Sequence, residues 1–344
     1  MYLLSSPLKA RKLCRKRRTA MQNSNSAPNN SISQPEGFYI IGLSSMPYNN
    51  IYVMFLTVLY VITVICNVSL ITIIFYDHRL HVPKFMAVGN LALVDLVLST
   101  SLVPGMIKTY LVLDNFVPFK LCLVQLYFYF TFVSLESFSI CILSYDRFVA
   151  ICLPLRQESI NTNTRMAYIV GALWFFSVVI IIYAIESFPN LSFCSSMINS
   201  YFCDYSPILL LACNDITYQW NIGTTLATLF IVVPLSFIFL TYMGILIAVF
   251  RMKNNQSRYK ALATCTEHLT LVAIFYIPIL IVFNFIFFEF NWNPNVGLVF
   301  LSLSSLIPPC VNPIIYSLKT KQIRDRIYSL LTHRLSVYPL KNAH

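Results

Sequence analysis

Seven apolar runs, each long enough to cross a bilayer as a helix, account for most of this 344-residue chain. A hydrocarbon core of roughly 30 Å takes about 20 residues of helix. The runs lie at about 51–76, 84–108, 119–148, 166–187, 217–250, 262–288 and 296–318. Three of them are longer than the core requires, which leaves room for tilt or extension beyond the lipid. Charged residues make up only 11% of the chain, against about 25% in a soluble domain. A water-soluble globule is excluded on that ground. The expected fold is an all-α membrane protein, a bundle of seven transmembrane helices over residues 51–318. Prolines 104, 234, 278, 308, 309 and 313 fall inside the runs. Membrane helices accept them where a neighbour re-satisfies the freed backbone group.

The distribution of Lys and Arg sets the orientation. Arg79 and Lys84 lie in the first connection, Arg147, Arg156 and Arg165 in the third, and Arg251, Lys253, Arg258 and Lys260 in the fifth. The C-terminal tail adds Lys319, Lys321, Arg324, Arg326, Arg334 and Lys341. The alternate connections hold only Lys108 and Lys120, and residues 19–50 hold none. The C-terminus is therefore expected in the cytoplasm and the N-terminal segment outside. A basic tract at Lys9, Arg11, Lys12, Arg15, Lys16, Arg17 and Arg18 opposes this. Met21 resolves the conflict: residues 1–20 read as an upstream extension, 21–50 as the extracellular segment, and 319–344 as a cytoplasmic tail with a short amphipathic helix. No apolar core follows the basic run, so it is not a cleavable signal. Neither a folded module nor interleaved aromatics accompany it, which argues against nucleic acid as a partner.

Nine of the ten cysteines sort by the same topology. Cys122, Cys194, Cys203 and Cys213 fall outside, where an oxidising environment allows two disulfides in three connectivities. Cys66, Cys141, Cys152, Cys265 and Cys310 fall in or at the inner ends of helices and read as packed thiols. Among the asparagine sequons, Asn29 and Asn190 lie outside and suit glycosylation, whereas Asn67 and Asn255 do not. The chain has no glycine-rich phosphate loop, no His-Glu-x-x-His and no Gly-x-Ser-x-Gly, so nothing points to an enzyme.

The third run ends in Ser144-Tyr145-Asp146-Arg147-Phe148-Val149-Ala150-Ile151-Cys152, an acid–arginine pair where hydrocarbon gives way to polar sequence. Ionisable residues within spans are functional by default, and Asp95 and Glu136 are such residues. Taken with Asn67, Leu91-Ala92-Leu93-Val94-Asp95, Trp174 and Asn312-Pro313-Ile314-Ile315-Tyr316, this pattern resembles rhodopsin-like G-protein-coupled receptors. Three further tags are narrower. They are the helix-three ending, Lys260-Ala261-Leu262-Ala263-Thr264-Cys265-Thr266-Glu267-His268-Leu269, and an outer loop holding Phe202-Cys203-Asp204 and Leu211-Ala212-Cys213. With Pro309-Cys310-Val311-Asn312-Pro313, they resemble vertebrate odorant receptors over about residues 36–330. Phe148 stands where that family usually has tyrosine, and Glu267 where it usually has serine.

The resemblance implies a plasma-membrane receptor of olfactory sensory neuron cilia. It would bind a small, mainly apolar odorant among membrane lipids and activate a heterotrimeric G protein that raises cyclic AMP. Arg147, held by Asp146 at rest, would be freed on activation, with Tyr242 and Tyr316 swinging in support. Asp95, Glu136, Asn67 and Asn312 would surround one polar site able to bind sodium or a shared proton; no other cofactor is implied. The ligand cavity would involve Leu126, Tyr129, Phe130, Val133, Ser134, Leu226, Phe230, Tyr276, Ile279, Leu280 and Phe283. Disulfides Cys122–Cys203 and Cys194–Cys213 are implied by the loop. Tyr129 stands where amine receptors carry an aspartate, which argues against a cation held in that way. Leu306 stands where opsins carry the retinal lysine. The competing readings are a non-olfactory rhodopsin-like receptor and, further off, a ligand-gated channel or transporter. The last would need internal repeats or a continuous polar path.

Overall fold

A computed structural model describes residues 35–287, 294–320 and 322–328. Residues 1–34, with the basic tract, Met21 and Asn29, lie outside it, as does most of the C-terminal tail. Seven helices are long and apolar enough to cross a membrane. They are α1 (Asn49–Tyr76), α2 (Pro83–Tyr110), α3 (Phe119–Cys152), α4 (Asn163–Ile185), α5 (Thr217–Arg251), α6 (Asn255–Phe287) and α7 (Pro294–Lys319).

Their packing follows from having lipid rather than water outside. α3 buries 67% of its apolar window, whereas α1 and α4 bury 17% each, so α3 is the central post and those two face lipid. α3 packs against α2, α4, α5 and α6, and α7 closes the ring by packing on α1, α2 and α6.

Prolines lie inside four of these helices without ending them, and in two a side chain from a neighbouring helix replaces the missing donor. A proline lacks the N–H that would bond the carbonyl four residues earlier. Pro234 thereby frees the Phe230 carbonyl, and the Ser137 hydroxyl of α3 donates to it at 2.8 Å. Pro313 frees the Pro309 carbonyl, and the Asn67 amide of α1 donates to it at 3.0 Å. Side chains on neighbouring helices thus replace missing backbone donors and tie α3 to α5 and α1 to α7.

Helix boundaries match the apolar runs closely except at α6. It begins at Asn255, seven residues before the expected start at 262, and only residues 252–254 separate it from α5. Asn254 explains the early start: its side chain accepts from the Gln256 N–H at 2.8 Å, an N-cap on a polar first turn.

The outer end carries a small sheet that the sequence reading did not anticipate. Strands β1 (Gly37–Ile40), β2 (Phe116–Pro118) and β3 (Met197–Ile198) lie in the order β2-β1-β3. β1 is antiparallel to β2 and parallel to β3. Strands of two to four residues leave no periodicity to read. Gly42 lies directly against the Ser200 backbone, where a Cβ would collide, so the N-terminal segment is pressed onto the outer loop. At the inner end, residues 322–328 form a short helix. Ile323 is buried among α1, α2 and α7 residues, and Arg326 pairs with Asp77 at 3.3 Å.

Candidate ligand cavity and switch

A cavity of about 290 Å³ lies in the outer half of the bundle. It is lined from α3 by Tyr129, Phe130, Val133, Ser134, Glu136 and Ser137, and from α5 by Leu226 and Phe230. Ile279 comes from α6, Leu301 and Ser305 from α7, and Ser200, Asp204 and Tyr205 from the outer loop. The lining is chiefly apolar with a few polar groups, the usual makeup of a small-molecule site. Its roof is held by hydroxyls converging on Ser305: Tyr129 of α3 at 3.1 Å and Tyr201 of the outer loop at 3.2 Å. Tyr129 also packs on Phe202 with ring centroids 4.4 Å apart.

Two disulfides fix that loop. Cys122 pairs with Cys203 and Cys194 with Cys213, at Cα separations of 5.4 and 5.5 Å. The first pins the loop to the top of α3, where Gln125 also accepts from the Cys203 N–H at 3.1 Å. Asp204 follows immediately. Burial pushes its carboxyl up to about 7, opposed only by the Tyr205 N–H that it accepts from.

Below the cavity lies a buried polar cluster. Asn312 donates to Asp95 Oδ2 at 3.0 Å and also meets Glu136, and the two acids repel one another. Asn67, Asp95, Glu136 and Asn312 are all buried. Asn67 Oδ1, Asp95 Oδ1 and Glu136 Oε1 are buried acceptors without a protein donor. Such an all-oxygen set fits a hard cation. Two buried carboxylates need either that cation or a proton between them.

At the inner end, Asp146 accepts from Asn161 Nδ2 at 2.7 Å. Arg147 lies within electrostatic reach of Asp146, Tyr242, His268 and Tyr316. His268 of α6 is a latch between helices. Its Nε2 lies 3.1 Å from the Ile140 carbonyl of α3, an acceptor only, so Nε2 donates. Nδ1 is then the acceptor for the Tyr242 hydroxyl of α5, at 2.7 Å. Phe148 packs its ring against Gly244 of α5, where a Cβ would collide with it. Trp174 donates to Asn90, which donates to Ser139, both at 2.8 Å, joining α4 to α2 and α3.

A family model described as olfactory receptor matches residues 56–334. The chain belongs to the olfactory receptor family. Mouse olfactory receptor 1M1 is 31% identical over 327 residues, covering 90% of this chain and 98% of that protein. Human olfactory receptor 6Y1 is 31% identical over 291 residues, covering 83% and 88%. Mouse olfactory receptor 5P80 is 33% identical over 284 residues, covering 82% and 91%. This olfactory receptor is accordingly a multi-pass protein of the plasma membrane that responds to odorants and acts through G proteins, and it is not an enzyme.

Of the residues expected at the ligand site, Tyr129, Phe130, Val133, Ser134, Leu226, Phe230 and Ile279 line the cavity. Leu126 is instead fully buried in the outer core. Tyr276 sits behind the wall, its hydroxyl 2.8 Å from Ser137 Oγ. Leu280 is not among the lining residues, and the Phe283 side chain lies outside the described residues. The sequence reading did not single out α4 residues Ile181 and Ala184, α7, or Asp204 for this site, nor Asn161 and His268 for the switch. His268 had a signal, being the one histidine within an apolar run. Asn161 had none, because its role depends on a loop folding back under α3.

Proposed function

We propose that a small, mainly apolar odorant fills the outer cavity and shifts the bundle between two packings. The second packing frees Arg147 for a heterotrimeric G protein of the olfactory type, which raises cyclic AMP. The observation that carries this reading is Glu136. The same side chain lines the cavity and meets Asn312 beside Asp95, so a ligand at the cavity's inner end touches the polar cluster directly. Asn67, Asp95, Glu136 and Asn312 would hold a sodium ion in the resting state. The ion would neutralise the paired acids and brace α1, α2, α3 and α7. Activation would release it, as α7 moves with Tyr316, and would open the Tyr242–His268 latch. Ciliary membranes of sensory neurons are the expected site of action, with lipid against the exposed faces of α1 and α4 and no role for nucleic acid. Asn190 is exposed in the outer loop and is the glycosylation candidate among the described residues.

A cyclic-AMP reporter screen against a chemically diverse odorant panel, run on the wild type and on Val133→Phe, tests this reading. The added ring takes up cavity space, and potency should fall about tenfold or more at equal surface level, roughly 1.4 kcal/mol of lost binding. Unchanged potency for every agonist would place the ligand elsewhere.

A further inference from the structure

The cavity's charges are of one sign. Among the described residues its lining contains two carboxyl groups, Glu136 and Asp204, and no Lys, Arg or His. The whole connection between α4 and α5, residues 186–216, carries Glu186, Asp204 and Asp215 and no basic residue. Asp204 is the outer of the two carboxyls. The Cys122–Cys203 bond ties the residue before it to the outer end of α3, and Tyr129, seven residues along that helix from Cys122, lies within electrostatic reach of both Asp204 and Glu136.

Asp204 has little else to do. Its hydrogen bond is to the neighbouring Tyr205 N–H, and its ionisable neighbours across the roof are Tyr129 and Tyr201. Both hydroxyls already converge on Ser305. Among the described residues no Lys, Arg or His forms an ion pair with it. A carboxylate in an apolar cavity without a counter-ion is costly, and a donor or cation supplied by a ligand relieves that cost.

We infer that Asp204 is the polar anchor of the cavity, selecting ligands that carry a hydrogen-bond donor, above all protonated small amines, and rejecting carboxylates. This rests on the outer cavity being the odorant site. It does not conflict with Tyr129 replacing the helix-three aspartate of amine receptors, because the cation is met here from the outer loop. The apolar body of the ligand would then extend inward between Phe130, Val133 and Phe230.

The experiment uses aliphatic and aromatic amines, each matched with the alcohol, aldehyde, carboxylate and hydrocarbon of the same skeleton. Thermal shift on the purified full-length receptor reads binding, and cyclic AMP in cells reads signalling. Amines should stabilise the wild type most, alcohols less, and carboxylates not at all. Asp204→Asn should lower amine potency roughly tenfold or more, the loss of a charge-assisted bond, with less effect on alcohols and none on aldehydes. Asp204→Glu should retain a preference for amines. Carboxylates or aldehydes binding better than amines, or equal amine affinity in the wild type and Asp204→Asn, would overturn the anchor. Should either variant fail to reach the surface, the matched series on the wild type decides by itself. Amines bound by the purified receptor without a cyclic-AMP response would leave the anchor standing and remove the signalling reading instead. Amine binding insensitive to Val133→Phe would remove the cavity as the site, and the anchor with it.

Discussion

Asn161 donates to the Asp146 carboxylate at 2.7 Å, tying the inner loop to the acid of the acid–arginine pair. Asn161 is buried at the end of the short helix Gln157–Ile160. The bond is therefore shielded from water and made to a charged acceptor, the stronger class of hydrogen bond. Removing it with Asn161→Ala should loosen Asp146 and, with it, the resting arrangement of Arg147. A bias of about 1 kcal/mol changes a two-state ratio about fivefold, so ligand-free cyclic AMP should rise by about that factor. Basal output equal to wild type at matched surface level would show that the loop contact does not hold the resting state.

Arg147→Ala should abolish ligand-driven signalling while leaving surface expression largely intact. Its neighbours Tyr242, His268 and Tyr316 come from α5, α6 and α7, so the guanidinium sits where the three helices meet at the cytoplasmic end. Reporter output and surface labelling measured together check this, and a normal response at equal surface level would remove Arg147 from the switch.

Much of this was legible in the sequence because lipid imposes a simple rule. Twenty apolar residues must form a helix, and the charges between runs set its direction. The mid-helix acids and the acid–arginine pair were legible because charge in hydrocarbon is rare. What was not legible depended on contacts between distant segments. The outer sheet joins residues 37–40 to 116–118 and 197–198. Asn67 read as a mark of the polar site, and nothing in its own run indicated that it also donates to the carbonyl freed by Pro313. Half the cavity wall comes from α4, α7 and the outer loop, whose apolar runs look the same whether they face lipid or ligand.

The two disulfides differ in what they hold. Cys122–Cys203 spans 81 residues and anchors the loop to α3, whereas Cys194–Cys213 spans 19 within the loop. Each is expected to contribute about 2–4 kcal/mol. Non-reducing peptide mapping should recover these two pairs. Cys203→Ser should lose surface expression or ligand response, since it frees the roof of the cavity and Asp204 with it, and Cys194→Ser should be the milder change. Recovery of Cys122 joined to Cys194 or Cys213 would contradict the arrangement.

Asp95→Asn and Glu136→Gln each remove one of two buried, mutually repelling acids. If sodium sits between them at rest, both variants should shift basal output and abolish any effect of external sodium on agonist potency. Exchange of sodium for a large organic cation in the assay medium measures this. Unchanged basal output and unchanged sodium dependence in both variants would leave the cluster with a purely structural role.

The response to amines should itself depend on pH. Burial places the Asp204 carboxyl near 7, above the ordinary carboxylate range. It is therefore charged above that pH and becomes neutral as the medium is acidified through it. An ammonium head gains its full electrostatic partner only when Asp204 is ionised, so amine potency should fall as pH drops below about 7. The tyrosines around Asp204 do not compete in this window, since Tyr201 and Tyr205 are pushed above the ordinary tyrosine range by burial, and a contribution from Glu136, which lines the same cavity, would persist in Asp204→Asn. Neutral agonists provide the internal control, since an effect of acid on coupling alone would move both classes equally. Dose–response curves for a matched amine and aldehyde across neutral pH, in the wild type and in Asp204→Asn, separate the two. Parallel shifts for both ligands, or an amine shift that persists in Asp204→Asn, would assign the pH dependence to another group.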